Sequence, residues 1–341
     1  MQMEKKSLLN ETIQHIDIQS FDARPIIEAY GHMAFQARNL HSASRIFGEM
    51  LHDDSCTIIL TLAGSLFSAG LKGVVADMIR YNMVDVIVST GAIIVDQDFF
   101  EALGYHHYRG ESIVDDHLLR KLHIDRIYDT YIDEDELREC DLVVATIAGD
   151  SEKRSFSSRE FIRKMGQYLE KRDQDAHSVV LEAYRHDVPV FVPAFSDSSA
   201  GFGLVLHQKQ NPDLHVTIDA VRDFRELTDI KIDSQQTGLL MIGGGAPKNF
   251  AQDVVVAAEV VGREKPMHKY AVQITVADER DGGLSGSTLR EACSWGKVNT
   301  GLEQMVWSEA TLALPLLISD AYHRGYWKRR ARKRYQRLFS S

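Results

Sequence analysis

A chain of 341 residues with 44% apolar side chains, 26% charged side chains and a net charge of −10 has the make-up of a globular protein, not of a disordered or fibrous one. It contains no run of 18 apolar residues, which excludes a transmembrane helix, and MQMEKKSLLNETIQH puts two lysines ahead of no apolar stretch, so no secretory signal is expected. Three scattered cysteines, Cys56, Cys140 and Cys293, lack pair or metal spacing, which argues for the reducing cytoplasm and against a disulfide framework or zinc site.

Residues 1–50 read as a helical segment, because FDARPIIEAYGHMAFQARNLHSASRIFGEML repeats apolar residues at three- and four-residue spacing. Residues 51–323 then repeat one pattern: a short run rich in β-branched residues, a loop of small residues, a helical stretch. The runs are CTIILTL before AGSLFSAG, VDVIVS before TGAIIVD, and DLVVATIAG before a polar helix around Arg159 and Tyr168. Next come VPVFVPAF before SDSSAGFG, GLLMIGGG before APKNFAQDVVVAAEVV, and YAVQITV before ADERDGGLSGS. Near-continuous apolar strands alternating with helices predict an α/β fold. Its form is a single large doubly wound, mostly parallel sheet with helices on both faces.

Ligands of such sheets sit beyond the carboxyl ends of the strands. Ser65, Ser68, Thr90, Asp96, Asp197, Ser199, Gly243, Gly244, Gly245, Asp281 and Gly282 stand there, a polar, glycine-rich rim suited to a nucleotide. In any one loop glycine merely permits a tight turn; five such loops together favour a ligand site. The tail, residues 324–341, holds eight Lys or Arg and no acid; taking these from 39 leaves 31 bases against 49 acids elsewhere. An acidic body suits a cationic substrate, although solubility alone accounts for acidity in many proteins. A basic tail can bind nucleic acid, but no zinc finger or aromatic-interleaved motif supports that here. A solvated or subunit-contacting C-terminal helix is the preferred reading.

No GxGxxG, GxxxxGK[ST], GxSxG or HExxH occurs, so the ordinary nucleotide, hydrolase and zinc-peptidase fingerprints are absent. His106 and His107 suggest a metal pair, but neighbours on regular structure point apart, and a surface or interface position is expected instead. Gly243, Gly244 and Gly245 between a strand and a helix would let the backbone approach a diphosphate. The informative segment is LREACSWGK. Glu291 and Trp295 are four apart and share a helix face, Gly296 can end the helix, and Lys297 can turn toward the same pocket. A carboxylate pairs with an ammonium, an indole offers its face to a cation, and a desolvated lysine becomes an imine-forming nucleophile. A helix end with a solvated lysine fits the same residues equally well.

Five segments resemble the deoxyhypusine synthase family: FQARNL from Phe35, NMVDVIVSTGA (residues 82–92), PVFVPAFSDSSAG (189–201), IGGGAPKN (242–249) and EACSWGK (291–297). The similarity spans roughly residues 29–320. It implies a Rossmann-like fold and a homotetramer with active sites between paired subunits. It also implies a chemistry in which NAD oxidises spermidine to an imine. The aminobutyl group passes to an active-site lysine, then to an acceptor amine, and the retained NADH reduces the product imine. By position, Lys297 is the imine-forming lysine, and Glu291, Trp295, Asn249, Gly282 and Gly283 are polyamine-pocket residues. Ser65, Ser68, Thr90, Gly91, Asp96, Asp197, Gly244, Ala277, Asp281, Glu309 and Ala310 fall where the family contacts NAD. The carboxylate of Glu309 would favour NAD over NADP.

The sequence departs from the eukaryotic pattern at Asn249, where a histidine is usual, and at Phe202 and Leu284, where aspartates are usual. Ala63, Gly64 and Ser65 stand for a threonine–serine–asparagine loop. Extended spermidine would lose two charge-assisted contacts, each worth about 1.5–3 kcal/mol. The resemblance therefore implies an NAD-dependent aminobutyl transferase acting on a polyamine or diamine, with putrescine or another small amine as acceptor, as in homospermidine synthase. One alternative is a true deoxyhypusine synthase that modifies a lysine of the hypusine-containing translation factor. Another, of a different class, is a non-catalytic NAD-binding protein.

Overall fold

The computed structural model describes residues 2–172 and 177–339. Eleven strands occur among them: β1 Cys56–Leu62, β2 Val86–Ser89, β3 His107–Arg109, β4 Ile124–Ile127, β5 Thr130–Asp133, β6 Ser155–Phe156, β7 Val190–Phe191, β8 Thr217–Ile218, β9 Gln236–Ile242, β10 Tyr270–Thr275 and β11 Glu303–Trp307. Six of them form one sheet in the order β11-β10-β9-β1-β2-β7, and every pairing in it is parallel. From β1 the chain winds outward through β2 to β7, then returns to β9 on the other side and winds outward through β10 to β11. The direction of winding therefore reverses between β1 and β9, and their carboxyl ends open a crevice.

The alternating side chains of β1 explain why both faces need cover. Ile58, Leu60 and Leu62 pack with Phe47, Val75 and Leu314 on one face, whereas Ile59 joins Leu227, Met241 and Val254 on the other. Helices Phe35–His52, Lys72–Arg80 and Ala310–Arg324 cover the first face, and Ala220–Asp233 and Gly245–Val260 the second. Helices Arg24–Tyr30 and Phe35–His52 account for much of the N-terminal helical expectation.

One expected strand is a helix. DLVVATIAG forms the second half of Glu134–Gly149, which Asp133 caps by accepting from the backbone N–H groups of Asp135 and Glu136. Three acids in its first turn favour the positive end of the helix dipole, and Cys140, Val144, Ile147 and Ala148 recur at helical spacing on its buried face. The apolar run is one helical stripe. The sixth strand of the sheet is instead β11, whose EQMVW is too polar and short to announce itself. Between β2 and Glu134, strands β3, β4 and β5 add a small antiparallel sheet in the order β3-β5-β4.

The basic tail also differs from expectation. Helix Ala310–Arg324 ends at the left-handed Gly325, and two short 3-10 turns follow. The tail then packs across the amino end of the sheet. Arg330 is buried and makes a two-pronged ion pair with Asp85, one arm at 3.0 Å. It also donates to the carbonyl oxygens of Asn82 at 3.0 Å and Cys56 at 3.1 Å. The Tyr335 hydroxyl meets Thr57 Oγ1 at 2.5 Å and Ser234 Oγ at 3.0 Å.

Candidate active site

Two cavities flank one short wall. The first, of about 470 Å³, lies at the carboxyl ends of β1, β9, β10 and β11. Ser65, Ser68, Gly244, Ala277, Glu309 and Ala310 line it, so these six expected cofactor residues do converge. Tyr128, Asp129 and Thr130 of the β4–β5 turn form its outer lip, a contribution that sequence reasoning missed. Its charged lining residues are Asp129 and Glu309, with no Lys or Arg among them. Glu309 caps helix Ala310–Arg324 by accepting from Thr311 N–H at 2.8 Å.

Thr90, Gly91, Asp96 and Asp197 do not line this cavity. They gather beyond β2 and β7, where Asp96 Oδ1 accepts from Ser199 N–H at 2.7 Å and burial pushes its carboxyl up to about 7. A Cβ on Gly91 would lie 2.6 Å from Ser198 Oγ, so the glycine permits this loop contact. Gln97 joins the two groups: its Oε1 accepts from Phe67 N–H at 2.9 Å and Ser68 N–H at 3.1 Å. Asp281 and Gly283 line neither cavity; Asp281 Oδ1 accepts from Gly283 N–H at 2.5 Å.

The triple glycine serves packing more than approach. A Cβ on Gly243 would sit 2.5 Å from the Ala63 carbonyl oxygen, and one on Gly244 would sit 2.4 Å from Ser285 Cα. Ser285 Oγ accepts from Gly245 N–H at 3.1 Å, so the loop after β10 closes onto the helix start. Gln273 Nε2 fixes this loop further, donating to the Gly243 and Ser285 carbonyls at 2.9 and 3.0 Å.

Beyond that wall lies a groove of about 820 Å³. Glu291, Trp295, Asn249, Gly282, Leu284 and Lys297 all line it. Helix Leu289–Ser294 starts in a reciprocal cap between Thr288 and Glu291, Trp295 closes it, and Gly296 at φ 70° turns the chain out. Lys297 consequently points back into the groove. Its side chain is 13% exposed, so the solvated-lysine reading does not hold. Lys297 Nζ lies 2.5 Å from Asp253 Oδ1, 3.2 Å from Asn249 Oδ1 and 5.3 Å from the Trp295 ring centroid. Asn249 and Asp253 sit one turn apart on helix Gly245–Val260, and Asn249 Nδ2 donates to Asp253 Oδ2 at 2.8 Å.

Asp253 is the residue that sequence reading overlooked. Its signal was the four-residue spacing from Asn249 within APKNFAQD, which places both on one face once the helix begins at Gly245. The groove thus keeps acidic character despite Leu284: Asp253, Asp229 and Glu291 all line it, whereas Phe202 is an exposed side chain outside it.

Lys248 builds the wall. Its ammonium end donates to the Leu284 and Ser287 carbonyls at 3.1 and 2.5 Å and to Ser287 Oγ at 2.9 Å. Burial lowers its pKa to about 8; nearby Glu291 opposes that shift and Lys297 adds to it. The tempting His106–His107 pair divides: His107 is buried rather than at the surface, and its Nδ1 lies 2.7 Å from Glu101 Oε1. Glu101 also takes His15 at 2.7 Å and an ion pair from Lys72. These contacts hold its carboxyl well below the usual range despite burial. No cluster suited to a metal ion occurs among the described residues. No helix among them is long and apolar enough to cross a membrane.

A family model for deoxyhypusine synthase matches residues 25–321. The chain is 62% identical over 338 residues to a deoxyhypusine synthase-like protein of Coxiella burnetii, covering 99% of this chain and 96% of that one. A deoxyhypusine synthase-like protein of Chlorobaculum tepidum is 60% identical over 340 residues, covering 99% and 97%. The probable deoxyhypusine synthase 2 of Methanosarcina mazei is 39% identical over 326 residues, covering 95% and 92%. Among solved structures, a chain assigned to deoxyhypusine synthase from Entamoeba histolytica shares the fold, with a TM-score of 0.60 at 19% identity and coverage of 91% and 97%.

Proposed function

The chain belongs to the deoxyhypusine synthase family, and on that premise we propose that it transfers a 4-aminobutyl group, NAD-dependently, from a polyamine through an imine on Lys297 to a small acceptor amine such as putrescine. One observation carries the reading: Lys297 is sheltered in a groove with an indole and a carboxylate, and a nucleotide-sized cavity lies across a short wall.

The residues fit NAD. The strand order, numbered over the six sheet strands alone, runs 3-2-1-4-5-6, which supports a Rossmann-like site in the crevice between β1 and β9. Ser65, Ser68, Gly244, Ala277 and Glu309 would hold the cofactor there, and the lack of any lining cation disfavours a 2′-phosphate. When bound, NAD supplies the hydride acceptor that converts an amine to an imine.

The chain's own groups account for the rest. The Trp295 face and the carboxylates of Asp253, Asp229 and Glu291, against Arg225 as the one lining cation besides Lys297, attract the cationic donor into the groove. Lys297 Nζ, once free of its proton, attacks the donor imine carbon, and the donor's amine fragment leaves as a new imine forms on the lysine. Asp253 is placed to take the proton that Nζ sheds and to return it when the acceptor amine displaces the lysine. Asn249 orients both partners through its two hydrogen bonds. The change from histidine to asparagine at this position is thus matched by a carboxylate one turn away.

The homotetramer with sites between subunits and the choice of a small acceptor over the translation factor belong to the same proposal. Support for the small acceptor comes from Leu284, which lines the groove with an apolar side chain in place of an anchor for a long polyamine. The test is borohydride trapping. Incubation with NAD and spermidine, then reduction, should add one aminobutyl group to the peptide containing Lys297, and Lys297→Ala should carry none. A protein without the adduct, or with the same adduct in Lys297→Ala, would overturn the assignment.

A further inference from the structure

A third cavity, between residues 154–187 and the C-terminal tail, is not used by the proposed reaction. It has a volume of about 540 Å³ and shares no lining residue with the cofactor cavity or the groove. Six cations line it, Arg154, Arg159, Arg163, Lys164, Arg334 and Arg337, against two carboxylates, Glu160 and Asp187. This concentration stands out on a chain whose net charge is −10. Helix Ser158–Lys171 supplies one side, and residues 334–339 of the tail supply the other. The tail part lies outside the stretch that matches the family model.

Arg159 spends its fork on Glu226 and Gln336, whereas the cations around it sit at the surface in single ion pairs or, for Arg334, in none among the described residues. The Arg154 guanidinium lies 3.8 Å over the Phe156 ring, that of Arg159 4.2 Å over Phe339, and that of Arg163 5.0 Å over Tyr184. A guanidinium stacked by its face keeps its N–H fork in the plane, where phosphate oxygens bind in pairs. Arg159 forms the floor, almost fully buried and paired with Glu226 at 2.7 Å. Around it Arg154 pairs with Glu160, Arg163 with Asp187, Lys164 with Glu152 and Arg337 with Asp233, at 3.0–3.2 Å. Such half-exposed pairs are weak, and a multivalent anion exchanges with them readily. Arg334 makes no ion pair among the described residues, although it lines the same space.

We infer that this cleft is a binding site for an oligophosphate, either a free phosphate chain or the chain of a nucleotide. Its size suits a small ligand. Its lining of guanidinium groups favours several linked phosphates over a single anion, because each fork needs its own pair of oxygens.

Calorimetric titration of the full-length protein, with saturating NAD to fill the cofactor cavity and at about 150 mM salt, uses inorganic tripolyphosphate and, separately, ATP as probes. One saturable site per chain is expected. Arg163→Ser with Arg334→Ser should weaken it about tenfold or more while leaving the melting temperature and NAD binding unchanged. Equal affinities would assign recognition to the phosphates alone; tighter ATP binding would add a contact from the nucleoside, and both results uphold the site. If the double variant fails to fold, Arg334→Ser alone replaces it, since that side chain makes no ion pair among the described residues. Absence of binding by both probes, wild-type affinity in the variants, or binding only of a single-stranded RNA oligomer would overturn the inference.

Discussion

At the scale of single residues, the close approach of Lys297, Asp253 and Asn249 sets what can be measured. If Asp253 manages the proton of Lys297, Asp253→Asn should lower kcat about 10²–10³-fold, the range of a lost acid–base group. The KM for the amine should change far less, and the alkaline rise of the pH–rate profile should move. A raised KM with kcat and the profile unmoved in Asp253→Asn, and near wild-type behaviour in Asp253→Glu, would reduce the residue to a binding charge. Asp223 makes a separate prediction about stability. It is fully buried, and desolvation raises its carboxyl from 3.8 to about 7. Between those values the native state holds a proton that the unfolded chain has released. Stability contributed by this group is therefore complete below pH 4 and is lost as pH rises through about 7. The effect is on the order of a few kcal/mol. Asp96, raised in the same way, contributes a similar loss to both proteins, so urea midpoints compared at pH 4.5 and 7.5 should fall further in the wild type than in Asp223→Asn; equal falls would refute it.

At the scale of elements, the C-terminal strap is the least anticipated piece. Asp85 and Arg330 are 245 positions apart and share a buried two-pronged ion pair. Removing one partner strands the other's charge, which costs about 3–5 kcal/mol. Arg330→Ala should lower the denaturant midpoint accordingly, and Arg330→Ala with Asp85→Ala should recover part of the loss. A strap that merely lay on the surface would show neither effect. The same contact explains what could and could not be read from the chain. The β-branched runs of β1, β2, β9 and β10 were legible, because a strand buried on both faces must be apolar at every position. DLVVATIAG, the second half of helix Glu134–Gly149, was misread as a strand because a short apolar run does not declare its period until Asp133 fixes the helix start. The SWGK turn was legible because Gly296 adopts the conformation that only its composition favours. Asp253, the cover provided by Tyr128 and the burial of His107 were not, since each depends on a neighbour brought near by the fold.

At the scale of the whole molecule, the outer edge of the amine groove shows Val221, Val260 and Val261 together with the Trp295 ring, all exposed in the single chain. In the proposed tetramer another subunit would cover this rim. Light scattering should give a particle of several chains, and Val260→Asp should reduce both its mass and its turnover; a monodisperse single chain with full activity would contradict the assembly. The wall held by Lys248 bears on traffic through the enzyme. Leu284 lines the groove and its neighbour Ser285 lines the other cavity, and the two share no lining residue. If the proposed function holds, an outgoing diamine would therefore leave without displacing the dinucleotide. On that proposal one cofactor molecule would serve successive amines, cycling between its two redox forms in place.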